Sequence, residues 1–191
     1  MPTLNQLIRR SGTIVKRCVY GFILALGLGY GLPVTHSTAK ADSIVEYQVK
    51  AAFIYNFIAF TQWPENVGQT INLCVYGEDF FGSEIDKLQN KPVDKRHIKV
   101  ARIDNPEKLT GCQVIFFSKS VSSNLSNLLS SLPGQPILTL ADNPNAISQG
   151  VIINMNLVNE KIVFEINLGI ARKSGLDISS KLLQLAAKVH Q

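Results

Sequence analysis

Seven consecutive residues constrain the fold of this chain more than any others: Ile71-Asn72-Leu73-Cys74-Val75-Tyr76-Gly77. Five of the first six are apolar and the apolar positions do not alternate strictly, which suits a strand covered by helices on both faces. The run ends at a glycine and turns acidic with Glu78 and Asp79. A strand buried on both faces belongs to an open α/β sheet, so the rest of the chain is expected to return to it in strand and helix units.

The downstream pattern meets that expectation. Phe80 to Leu88 suits a helix broken by Asn90-Lys91-Pro92, and Ile98 to Ile103 alternates as a strand near an edge with one wet face. Val114 to Phe117 and Ile137 to Leu140 read as short buried strands, with a helix over Ser122 to Leu132 between them, ended by Pro133-Gly134. Gly150 opens a strand over Val151 to Val158, and Asn159-Glu160 turns it into a second strand over Lys161 to Asn167. After Gly175, Asp177 or Ser179 caps a last helix that carries Leu182, Leu183, Leu185, Ala186 and Val189. The fold class is therefore α/β: a three-layer Rossmann-like sandwich with a mostly parallel sheet and a C-terminal β-hairpin.

The domain is expected to begin after residue 41. Arg9, Arg10, Lys16 and Arg17 precede an apolar stretch from Val19 to Val34, and Ala39-Lys40-Ala41 forms a small-x-small cleavage site. This is the layout of a secretory signal peptide. The apolar run is short and interrupted by glycines, which argues against a membrane anchor. Residues 42–191 then form a single domain in the periplasm. The leader takes five of the 19 Lys+Arg and none of the 14 Asp+Glu, leaving 14 of each sign. A net charge of zero gives no support to nucleic-acid binding, which requires a clustered basic face.

Export also places Cys74 and Cys112, the two cysteines beyond the leader, in an oxidising compartment, where an even pair reads first as a disulfide. If the first and third strands of the parallel sheet are neighbours, the two positions come within bridging reach. A metal site is the competing reading, and it lacks ligands, because His97 and His190 stand at no metal-ligand spacing from either cysteine.

Ser43-Ile44-Val45-Glu46 matches a capping box, so the first helix is expected to start there and stop before Trp63-Pro64. Val45, Val49, Ala52, Phe53, Phe57 and Phe60 form one apolar face. Beyond Lys50 the other side is apolar as well, through Tyr47, Ile54, Tyr55, Ile58 and Ala59. Such a helix is either packed on two sides or offers a surface to a partner. In the second case Phe53, Phe57 and Phe60 face the sheet, and Tyr47, Ile54 and Ile58 are the partner-binding residues.

The sequence carries little catalytic equipment. Gly77-Glu78-Asp79-Phe80-Phe81-Gly82 lacks the glycine spacing of a dinucleotide loop and sets two carboxylates where a pyrophosphate would lie. There is no P-loop, H-E-x-x-H or G-x-S-x-G. No cofactor is therefore expected. The serines between 118 and 123 precede a helix, where capping explains them. In an open α/β sheet a ligand would sit at the carboxyl ends of the strands, near Phe80, Ser118 and Asp142.

The stretch from Glu46 to Pro64, EYQVKAAFIYNFIAFTQWP, resembles the opening signature of the YfiR family of periplasmic proteins. Leu73-Cys74-Val75-Tyr76-Gly77, Gly111-Cys112, Ile137-Leu138-Thr139-Leu140 with Asp142, Val151-Ile152-Ile153-Asn154, Phe164-Glu165-Ile166-Asn167 and the run from Gly175 to Ala186 extend the resemblance in order. It implies a Rossmann-like, often dimeric, non-enzymatic regulator. The family's best-known member represses a membrane-bound diguanylate cyclase by binding that enzyme's periplasmic sensor domain, coupling cyclic di-GMP and biofilm formation to envelope redox state. The implied partner is thus the periplasmic domain of an inner-membrane diguanylate cyclase or sensor kinase, alongside a second copy of the chain. Family members with further cysteines carry a second bridge near the C-terminal hairpin, which a chain without cysteine from 113 to 191 cannot form. A periplasmic small-molecule sensor is the alternative reading.

Overall fold

The computed structural model describes residues 38–132 and 134–191, with side chains from Ile44 onward. The leader expected over residues 1–41 lies outside the described residues except for 38–41, which fall in the first helix. In chain order the elements are α1 (Thr38–Ala59), β1 (Thr61–Gln62), β2 (Thr70–Tyr76), α2 (Ser83–Asp86), β3 (Pro92–Val93), β4 (Arg96–Ile103), a 3₁₀ segment (Pro106–Gly111) and β5 (Val114–Phe117). A second 3₁₀ segment (Lys119–Asn124), α3 (Leu125–Ser130), β6 (Leu138–Ala141), α4 (Ala146–Gln149), β7 (Ile153–Val158) and β8 (Lys161–Asn167) follow. The chain closes with α5 (Leu168–Lys173), β9 (Asp177–Ile178), α6 (Ser180–Leu185) and β10 (Lys188–His190).

β2 lies inside an eight-stranded sheet of order β10-β8-β7-β6-β5-β2-β4-β3. It pairs in parallel with β4 on one side, Leu73 opposite Val100, and with β5 on the other, Leu73 opposite Val114. β5, β6 and β7 continue the parallel run. β7 and β8 form the expected hairpin, with Asn159 and Glu160 both at positive φ in its turn. Alternate residues of the strands feed two separate cores, as the pleat requires. Leu73, Val75, Val114, Phe116, Leu140, Met155 and Phe164 pack with Tyr47, Ile54 and Phe57 of α1 and Ile85 of α2. On the opposite face Cys74, Ile115, Phe117 and Ala141 pack with Leu125 and Leu128 of α3 and Ala146 of α4. Helix, sheet and helix make three layers, and the fold is the expected Rossmann-like α/β sandwich.

Several helix bounds are corrected, among them the helix expected over Ser122 to Leu132, which is a 3₁₀ segment followed by α3. α1 begins at Thr38, ahead of the capping box, and ends at Ala59. Its last turn is closed by the Thr61 hydroxyl, which donates to Phe57 O at 2.7 Å, and by Trp63 Nε1, which donates to Ile58 O at 3.0 Å. The chain leaves α1 as β1, antiparallel to β9. The helix expected from Phe80 to Leu88 contracts to the four residues of α2. The last helix stops at Leu185 instead of running through Val189, because Lys188–His190 pair in parallel with β8 as β10 and Val189 packs against the core. Elements without an expectation include α4, β1, α5, capped by Asn167, whose side chain accepts from Ile170 N, and β3, two residues beginning at Pro92.

The main correction concerns α1. Tyr47, Lys50, Ala51, Ile54, Phe57, Ile58 and Thr61 are buried, a stripe at three- and four-residue spacing. Tyr47, Ile54 and Ile58 therefore face the core and offer no surface to a partner. The side turned outward carries Ile44, Val45 and Val49, which are 52, 58 and 38% exposed. The rotation follows from Lys50, whose polarity marks a solvent-facing side in the sequence but which is only 3% exposed and paired inside the protein.

Cys74 of β2 and Cys112 just before β5 are bridged, with Cα atoms 6.0 Å apart across a sequence separation of 38. Both are 2% exposed and lie in the α3 and α4 core. On the chain-entropy model, removing the crosslink with Cys74→Ala/Cys112→Ala costs about 4 kcal/mol of stability, read by urea denaturation. Burial also predicts that dithiothreitol leaves the bridge intact in the native protein while reducing it fully in urea. Equal reduction rates in the two conditions would show the bridge to be accessible.

Candidate functional site

Because β2, β5 and β6 run parallel, the residues that follow them meet at one edge of the sheet. Gly77 to Phe81 follow β2, Ser118 to Ser120 follow β5, and Asp142 and Asn143 follow β6. This is where open α/β sheets place their ligands. Gly77, at φ 97°, lets the first two turns approach closely: a Cβ there would stand 2.6 Å from Ser118 Oγ and 2.7 Å from Ser120 Oγ. Ser120 Oγ accepts from the Glu78 N–H at 2.8 Å. Asn143, fully buried, donates from its side chain to Ser118 O at 3.4 Å and from its backbone to Asn154 Oδ1 at 3.1 Å. Asn154 Nδ2 returns a bond to Asn143 O at 2.9 Å. The three loop ends are thus stitched to one another and to β7.

The N-terminal half of α1 fills the crevice they form. Tyr47 donates its hydroxyl to Asp142 Oδ2 at 2.7 Å, and Lys50 Nζ donates to the same oxygen at 2.7 Å. Lys50 also pairs with Glu46 one turn earlier. The Tyr47 ring stacks on Phe80 with centroids 5.5 Å apart and meets Phe81 edge-on at 5.0 Å. Lys119 Nζ lies over Phe80, 4.5 Å from its centroid, and Lys50 Nζ lies 4.2 Å from that of Tyr47. Asp142 Oδ1 is buried without a hydrogen-bond partner. Phe80, Ser118 and Asp142 are therefore neighbours, as expected from strand order, but the space between them holds protein.

From the sequence Glu46 reads only as a capping-box residue, and neither it nor Lys50 stands out as part of a site. The available signal was a lone lysine at position i+3 from Tyr47 within the stripe 47-51-54-58, opposite an aspartate at a strand end. Chemically the cluster is an ion pair with an added phenol donor. Its one carboxylate oxygen is saturated by two donors, and its ammonium is shared between two carboxylates. Such an arrangement holds a helix against a sheet end and fixes its rotation. Among the described residues, no group of three or more His, Cys, Asp or Glu is placed to hold a metal ion.

Lys50 and Asp142 side chains are 4% and 1% exposed. Lys50→Met leaves the carboxylate buried without its cation, and the expected loss is about 3–5 kcal/mol by urea denaturation. Lys50→Met with Asp142→Leu should recover much of it, since an apolar pair leaves no buried charge behind. A cost for Lys50→Met below about 1 kcal/mol, the level of a surface pair, would contradict this burial. Burial first, and then the bond to Asp142, push the Tyr47 phenol well above its ordinary range. In the unfolded chain it ionises near about pH 10. The folded state keeps a proton that the unfolded state releases, so this contribution is complete below about pH 10 and is lost as pH rises further. Tyr47→Phe should flatten the alkaline fall in stability.

Among solved structures, a conserved domain protein from Vibrio cholerae O1 biovar El Tor strain N16961 matches with a TM-score of 0.49 and 9% identity over 75% of this chain. An ABC domain from Streptococcus pneumoniae, crystallised in complex with L-Trp, matches with a TM-score of 0.49 and 10% identity over 75% of this chain. In both cases this chain spans 60% of the other's length. The model of the YfiR/HmsC-like family matches residues 47–187, from the tyrosine of the buried cluster to the residue before β10. The chain belongs to the YfiR/HmsC-like family.

Proposed function

We propose that this protein is a non-enzymatic periplasmic regulator that binds the periplasmic sensor domain of a membrane-bound diguanylate cyclase and restrains cyclic di-GMP production. The observation that carries the reading is membership of the YfiR/HmsC-like family across residues 47–187. Among the described residues no helix is long and apolar enough to cross a membrane, and we assign the link to a membrane enzyme to a docking surface of this domain.

The outer side of α1 supplies such a surface. Phe53 reaches Phe164 of β8, with centroids 5.6 Å apart. On that sheet face, two residues nearer the strand end, Ile162 stands opposite Leu157, which is 54% exposed. One and two turns along α1 in the same direction lie Val49 and Val45, also exposed. We take Val45, Val49 and Leu157 as an apolar strip of the kind that marks an interaction site. The occupant consistent with the family is the cyclase's sensor domain, in place of the buried Tyr47, Ile54 and Ile58.

The second reading, a small-molecule sensor at Phe80, Ser118 and Asp142, is favoured only by the unpartnered Asp142 Oδ1. A ligand there must displace Tyr47 and Lys50, so it stands second. Val45→Asp/Val49→Asp should weaken capture of the cyclase's periplasmic domain at least tenfold, about 1.4 kcal/mol, and raise cyclic di-GMP in cells at unchanged protein level. Unchanged capture and unchanged cyclic di-GMP would rule this strip out. Retained capture with loss of self-association would assign it to a homodimer instead.

A further inference from the structure

The sheet face opposite α1 carries a polar groove of about 470 Å³ where β7, β8 and β10 meet α4. That is within the usual size of small-molecule sites. Asn145, Asn156, Asn167, Glu165 and His190 line it, with Ile147 from α4. Several of these polar side chains commit one atom to the fold and leave the other without a protein partner. Asn167 Oδ1 accepts from Ile170 N at 3.0 Å, which leaves its Nδ2 unpaired. Asn154 accepts at its oxygen from Asn143 N and donates from Nδ2, so Asn156 must present Oδ1 to it, at 3.1 Å. The Asn156 Nδ2 is then left over. Glu165 Oε2 meets His190 Nε2 at 2.7 Å, and its Oε1 is unpaired. Because partner chemistry fixes the Asn156 and Asn167 orientations, these two offer carboxamide N–H donors beside the Glu165 carboxylate acceptor, and the carboxamides of Asn145 and Gln191 add both a donor and an acceptor.

That set selects a ligand class. No lysine or arginine lines the groove, and its one carboxylate already faces an imidazole. An anion would meet Glu165 without a compensating cation. Among the described residues its one ring is the His190 imidazole, already paired with Glu165, and Ile147 is its one large apolar side chain, so a flat apolar ligand finds little wall. A hydroxyl group both accepts from Nδ2–H and donates to Oε1. We propose that this groove binds a neutral polyhydroxylated small molecule, a sugar or sugar alcohol, through Asn156, Asn167 and Glu165. The proposal does not depend on the regulator reading, since the groove lies across the sheet from the strip on α1.

The test is a ¹H–¹⁵N titration of the full protein with glucose, N-acetylglucosamine and mannitol, each against glycine and inorganic phosphate as charged controls. At least one polyol should shift the signals of Asn145, Asn156, Glu165 and Asn167 saturably. Asn156→Asp keeps the oxygen that Asn154 needs and removes the donor facing the groove, so it should weaken binding about tenfold with the thermal midpoint unchanged. If Asn156→Asp does not fold, Glu165→Gln, which replaces the acceptor at the same size, serves in its place. Leu157→Ser, on the other face, should leave polyol binding intact. The proposal is overturned by the absence of saturable shifts at polyol concentrations well above about 1 mM. Saturable shifts with glycine or phosphate alone, or binding indifferent to both groove variants, would overturn it equally.

Discussion

A cation buried in the middle of a helix that is apolar on both sides allows that helix one rotation. Lys50 sits in the stripe of α1 that faces the sheet, and its charge is met there by Asp142 at the end of β6, together with Glu46 of its own helix. Tyr47, one turn earlier, adds a second donor to the same oxygen. Once these contacts form, Ile54, Phe57 and Ile58 follow onto the sheet, and Val45 and Val49 are turned to solvent. The interior of one layer and the exposed chemistry of the other side are set by the same pair of charges.

Much of the sheet was legible because its strands are short and apolar or sharply bounded. Val114–Phe117 and Lys161–Asn167 form strands with the bounds read from the sequence, the first because all four residues are buried, the second because Asn159-Glu160 enforces its turn. The pairing of Cys74 with Cys112 followed from the neighbourhood of two strands. The rotation of α1 was not legible. Periodicity alone offered two apolar faces, and the deciding residue was a lysine, whose burial depends on an aspartate 92 residues away. β10 was hidden for a related reason: Leu182 to Val189 keeps helical spacing, and only the open side of β8 draws its end into the sheet. At the candidate site, Phe80, Ser118 and Asp142 could be named from strand order alone. What fills the space between them came from α1 and could not.

The two faces of the domain differ in kind. On the α1 face the exposed large apolar side chains are aliphatic, Ile44, Val45 and Val49 on the helix and Leu157 on the hairpin. Across the sheet, around β7, β8 and β10, it is carboxamide and carboxylate, half committed to the fold. The disulfide belongs to neither surface. It lies in the core beneath α3 and α4, where it ties β2 to the start of β5 and shortens the excursion through β3 and β4.

The ends of the sheet carry a consequence for the protein's behaviour in a crowded compartment. An unpaired strand edge is a template on which another chain can add, and long, flat, apolar edges aggregate. Here β3 is two residues long and begins with a proline, which has no N–H to offer, while β10 is three residues long and carries Lys188. The two outermost strands therefore offer only five residues of edge, two paired to β4 and three to β8. Outermost strands this short, one opening with a proline and the other carrying a lysine, give a second copy little backbone to pair with, so association through apolar side chains exposed on α1 need not lead to fibres.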